Sequence, residues 1–224
     1  MDWDALRISA LLAFSTALLL SVPGILLARW LAYTRNPWRN LFEALLTVPL
    51  ILPPTVLGFY LLSVLGSGAP LGAWYQQVFG APLAFSFSGL LVASLVFNLP
   101  FTVMPMQRAF GAIAPELLDA ARTCGLSRWR TLWRIELPLA WPGLLTAMIM
   151  TAAHTLGEFG VVLMVGGNIP GETRTIAISI YDRVQAFDLE SAAYMSALLL
   201  AISLAALMVV SWLGGRRQHE RGLL

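Results

Sequence analysis

Lysine is absent from this chain: all 14 basic residues are arginine. A phosphate-binding loop of the G-x4-G-K-[ST] type is therefore impossible, because its lysine is the group that reaches the outer phosphates. If ATP drives this protein, another chain hydrolyses it. Cysteine is nearly absent too. The single Cys124 excludes an internal disulfide framework. Charge is scarce, at 12% of residues, against about 25% in ordinary soluble domains. The short motifs H-E-x-x-H and G-x-S-x-G are missing, and His154 has no evident Ser or Cys partner. Neither a catalytic set nor a metal-ligand set can be assembled. Internal repeats, usual in stand-alone secondary transporters, are not found. The net charge is only +2, and the arginines sit in loops, so nucleic acid is excluded as a partner.

What is present is apolar length. The 224 residues are 58% hydrophobic with a mean hydropathy of +0.75. This is the composition of an all-α integral membrane protein, a single domain over residues 1–224. About 20 helical residues cross the hydrocarbon. By that measure five spans are expected, at about 8–28, 41–65, 87–106, 139–165 and 192–213. The first is read as retained, since a cleaved signal normally starts with a basic region and has a shorter apolar core. Pro49, Pro53 and Pro54 fall inside the second, so that helix is expected to bend or break near its middle. Residues 66–86 carry no charge and suit a short external loop at the interface, with Trp74 and Tyr75. The segment 175–190 is too charged to span and is expected as a short interfacial helix.

Arginine sets the expected orientation. One side collects Arg29, Arg35, Arg39, Arg108, Arg122, Arg128, Arg130, Arg134, Arg216, Arg217 and Arg221; the other has Arg7, Arg174 and Arg183. The split of 11 against 3 puts the N-terminus outside and the C-terminus in the cytoplasm.

The longest polar interruption is Pro115–Pro138, PELLDAARTCGLSRWRTLWRIELP. Pro115 suits a first helical position, Gly125 a left-handed stop, and Ser127 the cap of a second short helix ending before Pro138. The result is a helix–glycine–helix elbow at a membrane surface, a shape that can plug into another protein. Its spacing, Asp119-Ala120-Ala121, then Gly125, then Ile135-x-Leu137-Pro138, resembles the cytoplasmic loop of ABC-importer permeases, with Asp119 where Glu is usual. The resemblance implies a coupling helix that docks on the ATPase subunit, carried here by Glu116, Asp119, Ala120, Ala121, Gly125, Ile135, Leu137 and Pro138.

A second informative stretch is TAMIMTAAHTLGEFG in the fourth span. Ala147, Thr151 and Thr155 recur every four residues, which allows close helix contact inside a membrane. His154 and Glu158, at i and i+4, are expected on one face, and ionisable groups at that depth point to function. They are candidates to line or close a path. Arg174 is the expected ionic partner of Glu158, within a loop that also holds Asn168; Pro53 and Pro54 complete the candidate gate. The run Leu156–Thr175 and the phrase VPLILPPTVLGFYLL resemble the molybdate branch of importer permeases, in which Arg often stands at the position of His154. The resemblance implies a bacterial inner-membrane, multi-pass permease subunit that works as two copies. Two ATPase subunits would hold ATP-Mg, an external binding protein would deliver the oxyanion, and this chain would bind no cofactor itself. Tungstate and sulfate permeases carry related versions.

Overall fold

The structure, a computed structural model, describes residues 1–221, with side chains to Ser211. Among them there are helices and no strands. Helix α1 (Trp3–Tyr33) is capped by Asp2, whose carboxylate accepts from the Ala5 N–H at 3.0 Å. Its buried face is a stripe of small and branched residues, including Ala5, Ile8, Ser9, Leu12, Thr16, Leu20, Gly24 and Ala28. Phe14 and Val22, on other faces, are exposed. Exposed apolar side chains in such number suit lipid, which has no need of a polar coat.

Helix α5 (Phe87–Gly111) packs between α1 and α8 (Leu137–Gly157), and this trio forms the centre of the molecule. Helix α11 (Leu189–Arg221) flanks α8 and is the least covered of the long helices. Four helices are long and apolar enough to cross a membrane, and a fifth crossing is possible if α2 (Arg39–Ile51) and α3 (Pro54–Leu65) count as one. The ends of the expected spans at 8–28 and 192–213 extend to 3–33 and 189–221. Arg216, Arg217 and Arg221 have their backbone in α11; their side chains lie outside the described residues.

Two readings need correction, while the break expected within 41–65 is present as two helices meeting at 109°. The residue before a proline is pushed out of the α region, and two prolines in succession push two residues: Leu52 and Pro53 have ψ of 138° and 136°. The span expected over 139–165 ends at Gly157. Glu158 is extended, with ψ 128°, and a separate helix α9 (Gly160–Gly166) follows. The loop expected over 66–86 contains helix α4 (Pro70–Phe79), started by a proline at its first position and stopped by Gly80 at φ +72°. That proline-to-glycine signature was visible in the sequence. The short helix expected in 175–190 is α10 (Ile176–Gln185), whose Ile176 and Ile178 are buried.

Candidate functional site

The elbow begins with α6 (Pro115–Thr123), Pro115 in its first turn. It ends in a Schellman motif: the Leu126 N–H donates to the Ala121 carbonyl at 3.0 Å and the Gly125 N–H to the Arg122 carbonyl at 2.9 Å. That closure requires Gly125 in the left-handed region, and its φ is +73°. A Cβ there would meet nothing within 4 Å, so the demand for glycine is conformational alone. Ser127 then caps α7 (Arg128–Thr131), accepting from the Arg130 N–H at 3.4 Å. Glu116, Asp119, Ala120 and Gly125 are exposed while Ala121 is buried. Asp119 pairs with Arg122 at 2.9 Å, but both side chains are exposed, and such pairs contribute little.

The second elbow helix does not stop before Pro138. It runs on through a π turn (Leu132–Glu136) into α8, giving a continuous helix over Arg128–Gly157. The wide turn closes with the Leu137 N–H on the Leu132 carbonyl, and Pro138, having no N–H, falls where a missing donor does least harm. Ile135 and Leu137 are half-buried and Pro138 is exposed. Trp129 and Trp133 are also exposed beside them.

Glu136 points the other way, into the protein. It is 2% exposed and holds Arg29 by a fork, with Nε–Oε2 at 2.5 Å and Nη2–Oε1 at 2.8 Å. Arg29 also donates to the Arg128 carbonyl at 3.4 Å. The end of α1 is thus fastened to the elbow just where the π turn sits. Neither residue was singled out as a pair from the sequence, because nothing in their 107-residue separation predicts it.

Inside the helix trio runs a polar spine. Thr16 donates to Ser94 at 2.8 Å. Asn98 Nδ2 donates to the Ser94 carbonyl at 2.9 Å and to Thr155 Oγ1 at 2.9 Å. Thr102 and Thr151 hydroxyls share a bond of 2.8 Å. The stripe Ala147, Thr151, Thr155 therefore packs against α5 within this chain, all three buried. The facing residues, which the sequence reading missed, carry the same signal: Ser94, Asn98 and Thr102 recur on α5 at a four-residue spacing.

His154 joins the spine through Nδ1, 3.1 Å from Asn98 Oδ1, and stacks on Phe101 at 3.9 Å between ring centroids. The Ser94 carbonyl can only accept, which fixes the amide orientation of Asn98 and leaves Oδ1 as an acceptor. His154 therefore carries its proton on Nδ1, and its Nε2 edge is uncommitted to this network.

His154 and Glu158 do not share a helix face, because the helix ends between them. Glu158 instead accepts the Val161 N–H at 2.9 Å and so caps α9. Nor does Arg174 pair with Glu158. Arg174 donates to Asn168 Oδ1 at 2.6 Å and lies 3.7 Å from Asp182, to which Asn168 also donates at 2.7 Å. Asn168 and Arg174 thus form a separate cluster with Asp182 of α10. The break at Glu158 reaches Pro54 rather than Arg174. Helix α3 packs on α9, and a Cβ added at Gly160 would sit 2.7 Å from the Pro54 Cβ. Two broken helices meet where Pro54 faces the restart of α9 at Gly160.

Residues 24–217 match the family described as the binding-protein-dependent transport system inner membrane component. The chain belongs to this family. The permease is 44% identical over 222 residues to the Molybdenum transport system permease protein ModB of Azotobacter vinelandii, covering 99% of this chain and 97% of that one. It is 36% identical over 222 residues to the protein of the same name from Escherichia coli K12, covering 98% and 96%. Among solved structures, a bacterial alginate ABC transporter in complex with a pentasaccharide-bound periplasmic protein contains a chain with a TM-score of 0.71 at 17% identity, covering 94% of this chain and 76% of that one. At that identity the likeness shows the fold, which is that of an ABC-importer membrane subunit. The permease is accordingly a multi-pass inner-membrane protein.

Proposed function

We propose that this chain is the membrane subunit of an ATP-driven importer for molybdate, paired with a second copy of itself. The observation that carries this reading is the end-to-end likeness to molybdenum permeases, 44% identical over 99% of the chain. A separate ATPase pair holds ATP-Mg and docks on the elbow, and an external binding protein delivers the oxyanion. The exposed α6, ended at Gly125, with Trp129 and Trp133 exposed after it, supplies the mixed polar and apolar surface that such a dock needs. The chain itself holds no cofactor in this scheme.

The elbow faces the cytoplasm and the N-terminus lies outside. Arginine supports that orientation, with Arg29, Arg35, Arg39, Arg108 and the elbow arginines at one end of the trio. The path runs past His154, and its gate is the meeting of the two breaks, at Pro53–Pro54 and at Glu158–Gly160. Irregular backbone at membrane depth is tolerated where it lines a cavity. Asn168 and Arg174 then belong to the outer mouth, tied to Asp182.

The test is uptake of labelled molybdate in cells expressing the chain with its matched partners. Tungstate should compete and sulfate should compete poorly. Equal competition by sulfate would reassign the substrate to sulfate; uptake unaffected by deleting the chain would reject the reading.

A further inference from the structure

Between the elbow-side ends of α1, α2 and α5 lies a cavity of about 410 Å³, within the range of small-ligand sites, ~300–1,000 Å³. Its charged lining is Arg39, Glu43 and Arg108. Glu43 is already engaged: one oxygen accepts Arg39 Nε at 2.9 Å and Gln107 Nε2 at 2.7 Å. None of the ion pairs among the described residues includes Arg108. Two guanidinium groups against one carboxylate leave the lining at +1. The cavity is level with the elbow, since Tyr33 at the end of α1 donates to the Phe110 carbonyl at 3.1 Å.

Arg108 is exposed at this cavity beside apolar Leu46 and Met104, so its guanidinium is open to an anion that enters. The planar fork of arginine suits a tetrahedral oxyanion. We infer that this cavity binds a phosphate-like oxyanion, held by Arg108 and by the Arg39 N–H groups that Glu43 leaves free. Two sources share that chemistry. One is the phosphodiester of an anionic lipid, since basic pockets between spans bind such headgroups. The other is a free oxyanion at the inner end of the path. Bound there, the anion ties α2 to α5 next to the elbow.

The test uses the chain purified with its native partners. Native mass spectrometry reads retained phosphatidylglycerol, and titration of delipidated protein with sulfate or molybdate reads free-anion binding. Arg108→Gln should weaken one of these about fivefold, the factor one basic residue contributes near a membrane surface. Glu43→Gln raises the lining to +2 and should strengthen the same one, which a loss of folding could not do. Arg7→Gln, at the opposite end of α1, is the control. Changes confined to lipid retention identify the lipid phosphate, and changes confined to the titration identify the free oxyanion. Arg108→Gln indistinguishable from Arg7→Gln in both, or Glu43→Gln weakening both, overturns the site.

Discussion

Arg29, at the end of the first helix, and Glu136, in the π turn of the elbow, form a two-bond ion pair with the carboxylate 2% exposed. Removing one partner of a buried pair leaves an uncompensated charge and costs about 3–5 kcal/mol, whereas an apolar pair of similar volume is often neutral. Arg29 keeps 26% exposure, which favours the low end. Glu136→Ala should therefore lower the thermal midpoint sharply and speed hydrogen exchange over residues 128–136. The double change Arg29→Met with Glu136→Leu should restore most of the midpoint. Additive losses in the double variant would show that the pair is not the link.

Gly125 supplies backbone freedom and nothing else, since a Cβ there meets open space. The left-handed region costs an ordinary residue about 1–2 kcal/mol, and a β-branched one more. Gly125→Val should release the ATPase during purification while the chain stays in the membrane. Gly125→Asn should keep the ATPase, because asparagine tolerates this region. Normal copurification with Gly125→Val would count against docking through the elbow.

Glu158 acts through an oxygen that caps α9, at 2.9 Å from the Val161 nitrogen. Glutamine keeps that oxygen, and alanine removes it at a cost of about 1 kcal/mol. Glu158→Gln should leave basal and stimulated ATP hydrolysis near wild type. Glu158→Ala should loosen α9 against α3 and raise the basal rate. If the Gln variant matches the Ala variant, charge rather than capping is what matters at this position.

The amide of Asn98 dictates the tautomer of His154. Nitrogen NMR of the labelled ring should show the proton on Nδ1. Asn98→Ala should remove that preference, and with four side-chain bonds gone at ~0.6 kcal/mol each it should destabilise the fold by roughly 2 kcal/mol. A proton found on Nε2 in the wild type would contradict the spine as described.

The elbow was legible in the sequence because local rules govern it. Pro115, Gly125 and Ser127 each announce a helix end through their own backbone or side-chain chemistry, and each stands where those rules place it. The small-residue stripe was legible for the same reason. Its partner helix was not named, because spacing on one helix does not say which neighbour it meets. Glu158 and Arg174 misled. Helical spacing was carried past Gly157, where the helix stops, and opposite charge was allowed to choose a partner that distance assigns to Asp182. The break between α2 and α3 was expected from its prolines, but its size, 109°, goes with tertiary neighbours that spacing does not name, α5 against α2 and α9 against α3.

The central claim is that this chain moves its cargo only when an ATPase is docked on the elbow. The direct measurement is labelled-molybdate uptake into vesicles holding the chain, with its ATPase and ATP supplied inside and the loaded binding protein outside. Uptake should require all three additions and vanish with Gly125→Val. Molybdate entering vesicles that contain the chain alone would contradict the account and make the protein a channel.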